Sequence, residues 1–206
     1  MPDWPDKDPK TEAHNWSDSE KQRDNKRFSP AAKTIMELFA LDFVGLNKQF
    51  EVINSEKHES APRLCIINPS LILSPQIEPG EVKGNSLPWV VKIVNGESMA
   101  EKIPNDSMSI IHCDDLAKLH IAAAENPKAE GRYFGLCKSW PWSEIMQSIK
   151  NAEPDFKVPP MFEEEPKTPT QFDFTRRDSL GVELMGLDEI VKQTLTYMRE
   201  KGHVKL

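Results

Sequence analysis

The chain has 206 residues, of which 38% are hydrophobic and 29% charged, with 17 prolines and a formal net charge of -7. That length can bury a real core, but the apolar fraction lies below the ~45–50% usual for globular domains, so part of the chain is expected to be loop or poorly ordered. Excess acid and the lack of a basic stripe exclude nucleic acid as a partner, because nothing would displace counterions from a phosphate backbone.

Residues 1–28 are polar and broken by Pro5 and Pro9, with Trp4 and Trp16 as the large apolar groups, and they predict a surface segment. At Ser29 the pattern changes. Ser29 suits a helix N-cap and Pro30 the first helical position, and Ile35, Leu38, Phe39, Phe43 and Leu46 follow at helical spacing. Met36, Ala40 and Val44 make the other face apolar as well, so this helix is expected to be largely buried. The polar connection 47–62 is long for an α-to-β loop and is expected to extend the helix in part. The continuous apolar run from Arg63 to Asn68, stopped by Pro69, predicts a central parallel strand covered on both faces, with Ile66 buried.

A loop containing Pro75, Pro79, Gly80 and Gly84 comes next, then an apolar stretch 87–94 and a strand over 107–112. Asp114 or Asp115 is placed to cap a helix over 116–125. A strand over 131–137, a short helix over 142–149 and a proline- and glutamate-rich surface stretch 153–170 lead to an amphipathic helix over 188–201. That last helix turns Ile190, Val191, Leu195 and Met198 to the core and stops at Gly202. Cys65, Cys113 and Cys137 are widely spaced, form no Cys-x-x-Cys and sit in apolar runs, which predicts buried free thiols in a reducing compartment and no metal site. No apolar run approaches the ~20 residues of a membrane span, and Met1-Pro2-Asp3-Trp4 lacks the pattern of a secretory signal. A soluble, intracellular protein, cytoplasmic by preference, is expected.

Five segments together resemble the extended short-chain dehydrogenases/reductases of the dihydroflavonol reductase and cinnamoyl-CoA reductase type. They are Asn15-Trp16-Ser17-Asp18; Ser29-Pro30-Ala31-Ala32-Lys33-Thr34; Ile67 to Pro75 with Asn68-Pro69-Ser70; Ile111 to His120 with Asp114-Asp115; and Gly131-Arg132-Tyr133, followed by a tail of Ser179-Leu180-Gly181 with Thr194 to Gly202. Each is weak alone, and their shared order is what carries the likeness. The resemblance implies an α/β fold: the C-terminal half of a doubly wound, Rossmann-like parallel sheet over 29–203, interleaved with a small substrate-binding lobe. It also implies descent from NAD(P)-dependent carbonyl reductases, with NADP or NAD as cofactor.

Ser29 stands where the family has a tyrosine. That chemistry needs a phenol one helical turn from an ammonium, so that the lysine lowers the phenol's pKa and a proton moves near neutral pH. A serine hydroxyl cannot do this unaided, and Ser29 reads better as a cap than as a catalytic group. By the resemblance Lys33 would bond the nicotinamide ribose, although the position is inherited more readily than the role. Pro69 and Ser70 would line the nicotinamide side of the cleft, or simply end a strand. His112 and Asp115, in line on a strand-to-helix turn, read as structural and not as a general base pair or metal ligands.

A Gly-x-x-Gly-x-x-Gly turn to hold the pyrophosphate is not found in the sequence. The expectations are therefore a truncated or degenerate reductase that binds no cofactor and is inactive as an isolated chain, or a non-catalytic structural subunit. In either case the open sheet is expected to be covered by a protein partner or by self-association.

Overall fold

The computed structural model describes residues 8–77, 86–99 and 101–204. Trp4 and Pro5 of the polar N-terminal segment, and Pro79, Gly80 and Gly84 of the expected loop, lie outside the described residues. The elements in chain order are α1 (Ser19–Asp24), α2 (Phe28–Phe43), α3 (Ser55–Ser60), β1 (Cys65–Pro69), β2 (Leu71–Ile72), α4 (Ser86–Val94), β3 (Ser107–Ile111), α5 (Cys113–Glu125), β4 (Gly131–Gly135), β5 (Lys138–Pro141), α6 (Trp142–Ala152), α7 (Thr175–Asp178) and α8 (Leu187–Glu200). The chain divides into two compact units. The first comprises Met1–Asn68, Leu119–Phe134 and Gln171–Gly181; the second comprises Pro69–Lys118, Gly135–Thr170 and Val182–Leu206.

In the first unit, α1 starts at Asp18, whose Oδ1 accepts the N–H groups of Glu20 at 2.9 Å and Lys21 at 3.1 Å. α1 is joined to α2 by the Thr34 hydroxyl, 3.1 Å from the Gln22 side-chain oxygen. α2 ends just before Gly45, at φ +73, where an added Cβ would meet Asn54 O at 2.4 Å, so the turn accepts only glycine. The carbonyl of Gly45 in turn takes the N–H of Ile53 at 2.8 Å, which folds the connection back on itself. α3 then begins at Asn54, whose side chain caps Lys57 N–H at 3.0 Å. β1 pairs with β4. Arg63 closes the other end of α5 by donating to the carbonyls of Ala123, Ala124 and Ala129 at 2.8, 2.7 and 2.6 Å, satisfying acceptors that a helix terminus leaves open. Its apolar core is split into a cluster of Trp16, Leu41, Val44 and Leu46 and another of Ala123, Ala129 and Tyr133.

The second unit holds a three-stranded sheet in the order β2-β3-β5. β2 runs parallel to β3, with Leu71 opposite Ile110, and β3 runs antiparallel to β5, with Met108 opposite Trp140. α4, α6 and α8 cover it and build one continuous core, in which Ile110, Met146, Ile190 and Met198 are fully buried. Two buried hydroxyls are satisfied inside it: the Thr194 hydroxyl bonds Ile190 O at 2.7 Å and Ser148 Oγ bonds Asp188 Oδ1 at 2.6 Å.

The α/β class, the strands near 65–69, 107–111 and 131–135, and the final helix with its four core residues follow the sequence reading. Several local readings are corrected. α2 starts one residue before Ser29 and has Arg27 at its cap without a side-chain bond, so Ser29 is not the N-cap. The connection 47–62 does not extend α2, because Gly45 breaks it and Asn54 opens a separate helix. α2 is not largely buried: Ala31, Thr34 and Leu41 face inward, while Ile35, Phe39 and Phe43 are exposed. β1 is half-buried, Ile66 included, because among the described residues it pairs with β4 alone. Glu12 and Trp16, in the segment expected at the surface, are buried. Apolar 87–94 is a helix, and β5, α1 and α7 had no counterpart in the expectations. The three cysteines are free thiols, half-buried where full burial was expected.

Candidate functional site

Ser29 and Lys33 lie one turn apart on the same flank of α2, and both are exposed. Pro30 occupies the third position of that helix, so the first turn lacks one of the backbone donors that a helix N-terminus would offer an anion. No hydrogen bond or ion pair engages the side chain of Ser29 or Lys33 among the described residues.

One turn beyond Lys33, Glu37 enters an ionic cluster that the sequence reading missed. Its Oε2 lies 2.9 Å from Arg132 Nε on β4 and accepts the Asn68 side-chain amide from the end of β1 at 3.3 Å. Arg132 is buried, donates to Glu12 O at 2.8 Å, and stacks its guanidinium 3.9 Å over the Trp16 ring. Glu12 is buried too, accepting Phe134 N–H at 3.2 Å. Burial pulls the Arg132 guanidinium below its ordinary pKa against the opposing pull of Glu37 and Glu12, and burial pushes the Glu12 carboxyl up. Thus Asn68, Glu37 and Lys33 form a row from the strand end along α2. The only advance signal was the four-residue spacing from Lys33 to Glu37.

Arg176 completes this region, donating to the carbonyls of Arg132 and Glu130 with its guanidinium 4.9 Å from the centres of both the Phe50 and Tyr133 rings. The Cys65 thiol donates to Ala129 O at 3.1 Å, and burial raises its pKa.

In the second unit Pro69, the last residue of β1, and Ser70, between β1 and β2, are exposed. The His112 ring is the cap of α5: its Nδ1 accepts Asp114 N–H at 3.2 Å while its carbonyl accepts Leu116 N–H at 3.0 Å. Neither aspartate caps, since α5 begins at Cys113 and both stand inside its first turn. Asp115, fully buried, accepts Met185 N–H at 2.6 Å and meets Lys118 Nζ at 3.0 Å. Both residues are therefore committed to tying chain segments together. No group of three or more His, Cys, Asp or Glu side chains among the described residues could hold a metal ion.

A nicotinamide dinucleotide needs a ribose contact and a seat for its pyrophosphate. The free ammonium of Lys33 fits the first. The second is not met among the described residues: α1, α3, α5, α6, α7 and α8 carry acids in their first turns, and α2 and α4 carry a proline there, Pro30 and Pro88, in place of a glycine-rich turn.

No protein-family model matches the chain. Cinnamoyl-CoA reductase 2 of Medicago truncatula is 24% identical over 194 residues, which cover 93% of this chain and 53% of that protein. The vestitone reductase of alfalfa superposes with a TM-score of 0.65 at 17% identity, covering 92% of this chain and 58% of the other. A yeast methylglyoxal/isovaleraldehyde reductase, solved in complex with NADPH, superposes with a TM-score of 0.58 at 18% identity, covering 86% and 54%. The fold is thus a Rossmann-like α/β fold. The chain is similar in sequence to plant reductases of the cinnamoyl-CoA reductase type, and it spans about half the length of the curated relatives it matches. No helix among the described residues is long and apolar enough to cross a membrane.

Proposed function

We propose that this chain is a truncated or degenerate part of an NAD(P)-dependent carbonyl reductase, and that by itself it transfers no hydride. One observation carries the reading: on the exposed flank of α2 an alcohol, Ser29, stands one turn before Lys33, where reductase chemistry needs a phenol. The lysine would still reach a nicotinamide ribose, and Pro69 with Ser70 would still edge a cleft in a complete enzyme. With no seat for the pyrophosphate among the described residues, one ammonium offers too little to hold a dinucleotide. A non-catalytic structural role is the second reading, favoured by the apolar face that α2 exposes.

Titration of NADPH into the full chain, followed by calorimetry, tests the first reading. The expected result is affinity weaker than millimolar, with no turnover on aldehydes or ketones. Ser29→Tyr is expected to restore none, because a phenol without a positioned nicotinamide has nothing to protonate against. Saturable micromolar binding would overturn the proposal.

A further inference from the structure

The proline- and glutamate-rich stretch 153–170 has no part in the reductase reading, yet it presents a hydroxyl in a setting found nowhere else among the described residues. The chain contains three Ser-Pro or Thr-Pro dipeptides: Ser29-Pro30, Ser74-Pro75 and Thr168-Pro169. The fold treats them differently. Ser74 is buried with its Oγ bonded to Pro75 O at 3.2 Å, and Ser29 is wound into the first turn of α2. Thr168 is exposed and lies outside every helix and strand, and no hydrogen bond engages its side chain among the described residues.

Two features of the backbone make that hydroxyl available. Pro166 and Pro169 each disfavour the helical conformation of the residue before them, so Glu165 and Thr168 are biased toward an extended chain. Side chains then tether the stretch to the second unit: Asn105 donates its amide to Glu165 O at 2.8 Å and accepts Lys167 N–H at 2.8 Å, and Ser107 Oγ accepts Thr170 N–H at 3.2 Å. Glu165 and Lys167 are exposed, so water can take over the two bonds to Asn105 when the stretch lifts. An enzyme that binds its substrate as an extended chain can therefore seize 166–169 without disturbing the core.

We infer that Thr168 is a phosphorylation site for a protein kinase of the proline-directed class. Its Oγ attacks the γ-phosphorus of magnesium-bound ATP, the bond from that phosphorus to the bridging oxygen breaks, ADP leaves, and the hydroxyl proton passes to the kinase's aspartate. Pro169 supplies the selectivity. Any other residue after the hydroxyl would lay an unpaired N–H in the apolar pocket of such a kinase, and proline has none to lay there. The new group adds a charge of about −1.5 to −2. It falls directly after Lys167, beside a groove where Lys102 and Lys167 stand with Glu164 and Glu165, and it turns that balanced edge anionic.

Incubation of the full folded chain with a proline-directed kinase and magnesium ATP, followed by intact mass and peptide mapping, tests this directly. The expected result is uptake of a single phosphate, on Thr168. Thr168→Val keeps the branched shape at an exposed position and should abolish uptake while leaving the thermal melt unchanged. Pro169→Ala keeps the hydroxyl and adds the N–H, and it should slow uptake by at least about tenfold. No uptake by the parent, phosphate on Ser29 or Ser74, undiminished uptake in Thr168→Val or Pro169→Ala, or uptake that appears only after denaturation in urea would each overturn the inference. None of these readouts involves the cofactor, so this proposal and the one tested by NADPH titration fail separately.

Discussion

The two units of this chain solve the same packing problem with different materials. The second gathers eighteen buried apolar residues into one cluster around a mixed sheet, with its two buried carboxylates, Asp115 and Glu153, each paired to a cation at the rim, Lys118 and Arg199. The first holds two small apolar clusters together with a buried arginine, a buried glutamate and an arginine clamped between rings, and it leaves α2 with an uncovered apolar face. A continuous aliphatic core tolerates no unpaired charge but loses stability gradually when trimmed. One held by buried ions depends on each partner, because a lone buried charge costs far more than the pair contributes.

The largest test of that contrast is Ile110→Asp. Ile110 is fully buried at the centre of the β2-β3-β5 sheet, and an unpaired carboxylate there costs several kcal/mol against a total of about 5–15 kcal/mol, so the chain should fail to melt cooperatively. Ile66→Asp, on the half-buried β1 of the other unit, should be milder, and equal damage by circular dichroism would erase the distinction between the units.

Next is Arg132→Ala, which strips Glu37 and the Glu12 carbonyl of their partner and leaves Trp16 unstacked. A loss of about 3–5 kcal/mol is expected by urea denaturation. Arg132→Lys should recover only part, since an ammonium neither stacks flat nor reaches both acceptors. A variant as stable as the parent would mean that the cluster is ornamental to the fold.

The smallest effect is expected at Glu12→Gln. Burial holds the Glu12 carboxyl above its ordinary value of 4.5, so the folded state takes up a proton more readily than the unfolded chain. The stability linked to that proton is fully present below the unfolded value and is lost as pH rises through the folded one. At pH 7 the amide, which can still accept Phe134 N–H, should therefore be neutral or stabilising by on the order of 1 kcal/mol or less, and its advantage should vanish as pH falls toward 4.5. A Gln variant that gains on the parent with acidification would reverse the sign and refute the desolvation argument.

Much of the second unit was legible in the residues alone. α8 shows four apolar positions on one face of an otherwise polar helix, so only one orientation buries them, and Ile190, Val191, Leu195 and Met198 are all buried. α2 was harder to read, because two of its faces are apolar and periodicity cannot rank them. The face through Ala31, Thr34 and Leu41 was taken, and three of the five residues chosen from the sequence stayed outside. Of the candidate site, the pairing of Ser29 with Lys33 was visible as a four-residue spacing. The row from Lys33 through Glu37 to Asn68 and Arg132 was not, because it joins a helix to two strand positions more than thirty residues away.

By itself, then, the sequence determined most of the longer helices and strands, the α/β class, and that a serine stands one turn before a lysine. Those are local facts, set by residue type and spacing within a few turns. Tertiary structure alone decided that His112 and not an aspartate caps α5, that Glu12 and Arg132 are buried together, and which face of α2 meets the core. Burial is a property of what distant segments bring to a surface, and spacing along one segment cannot report it.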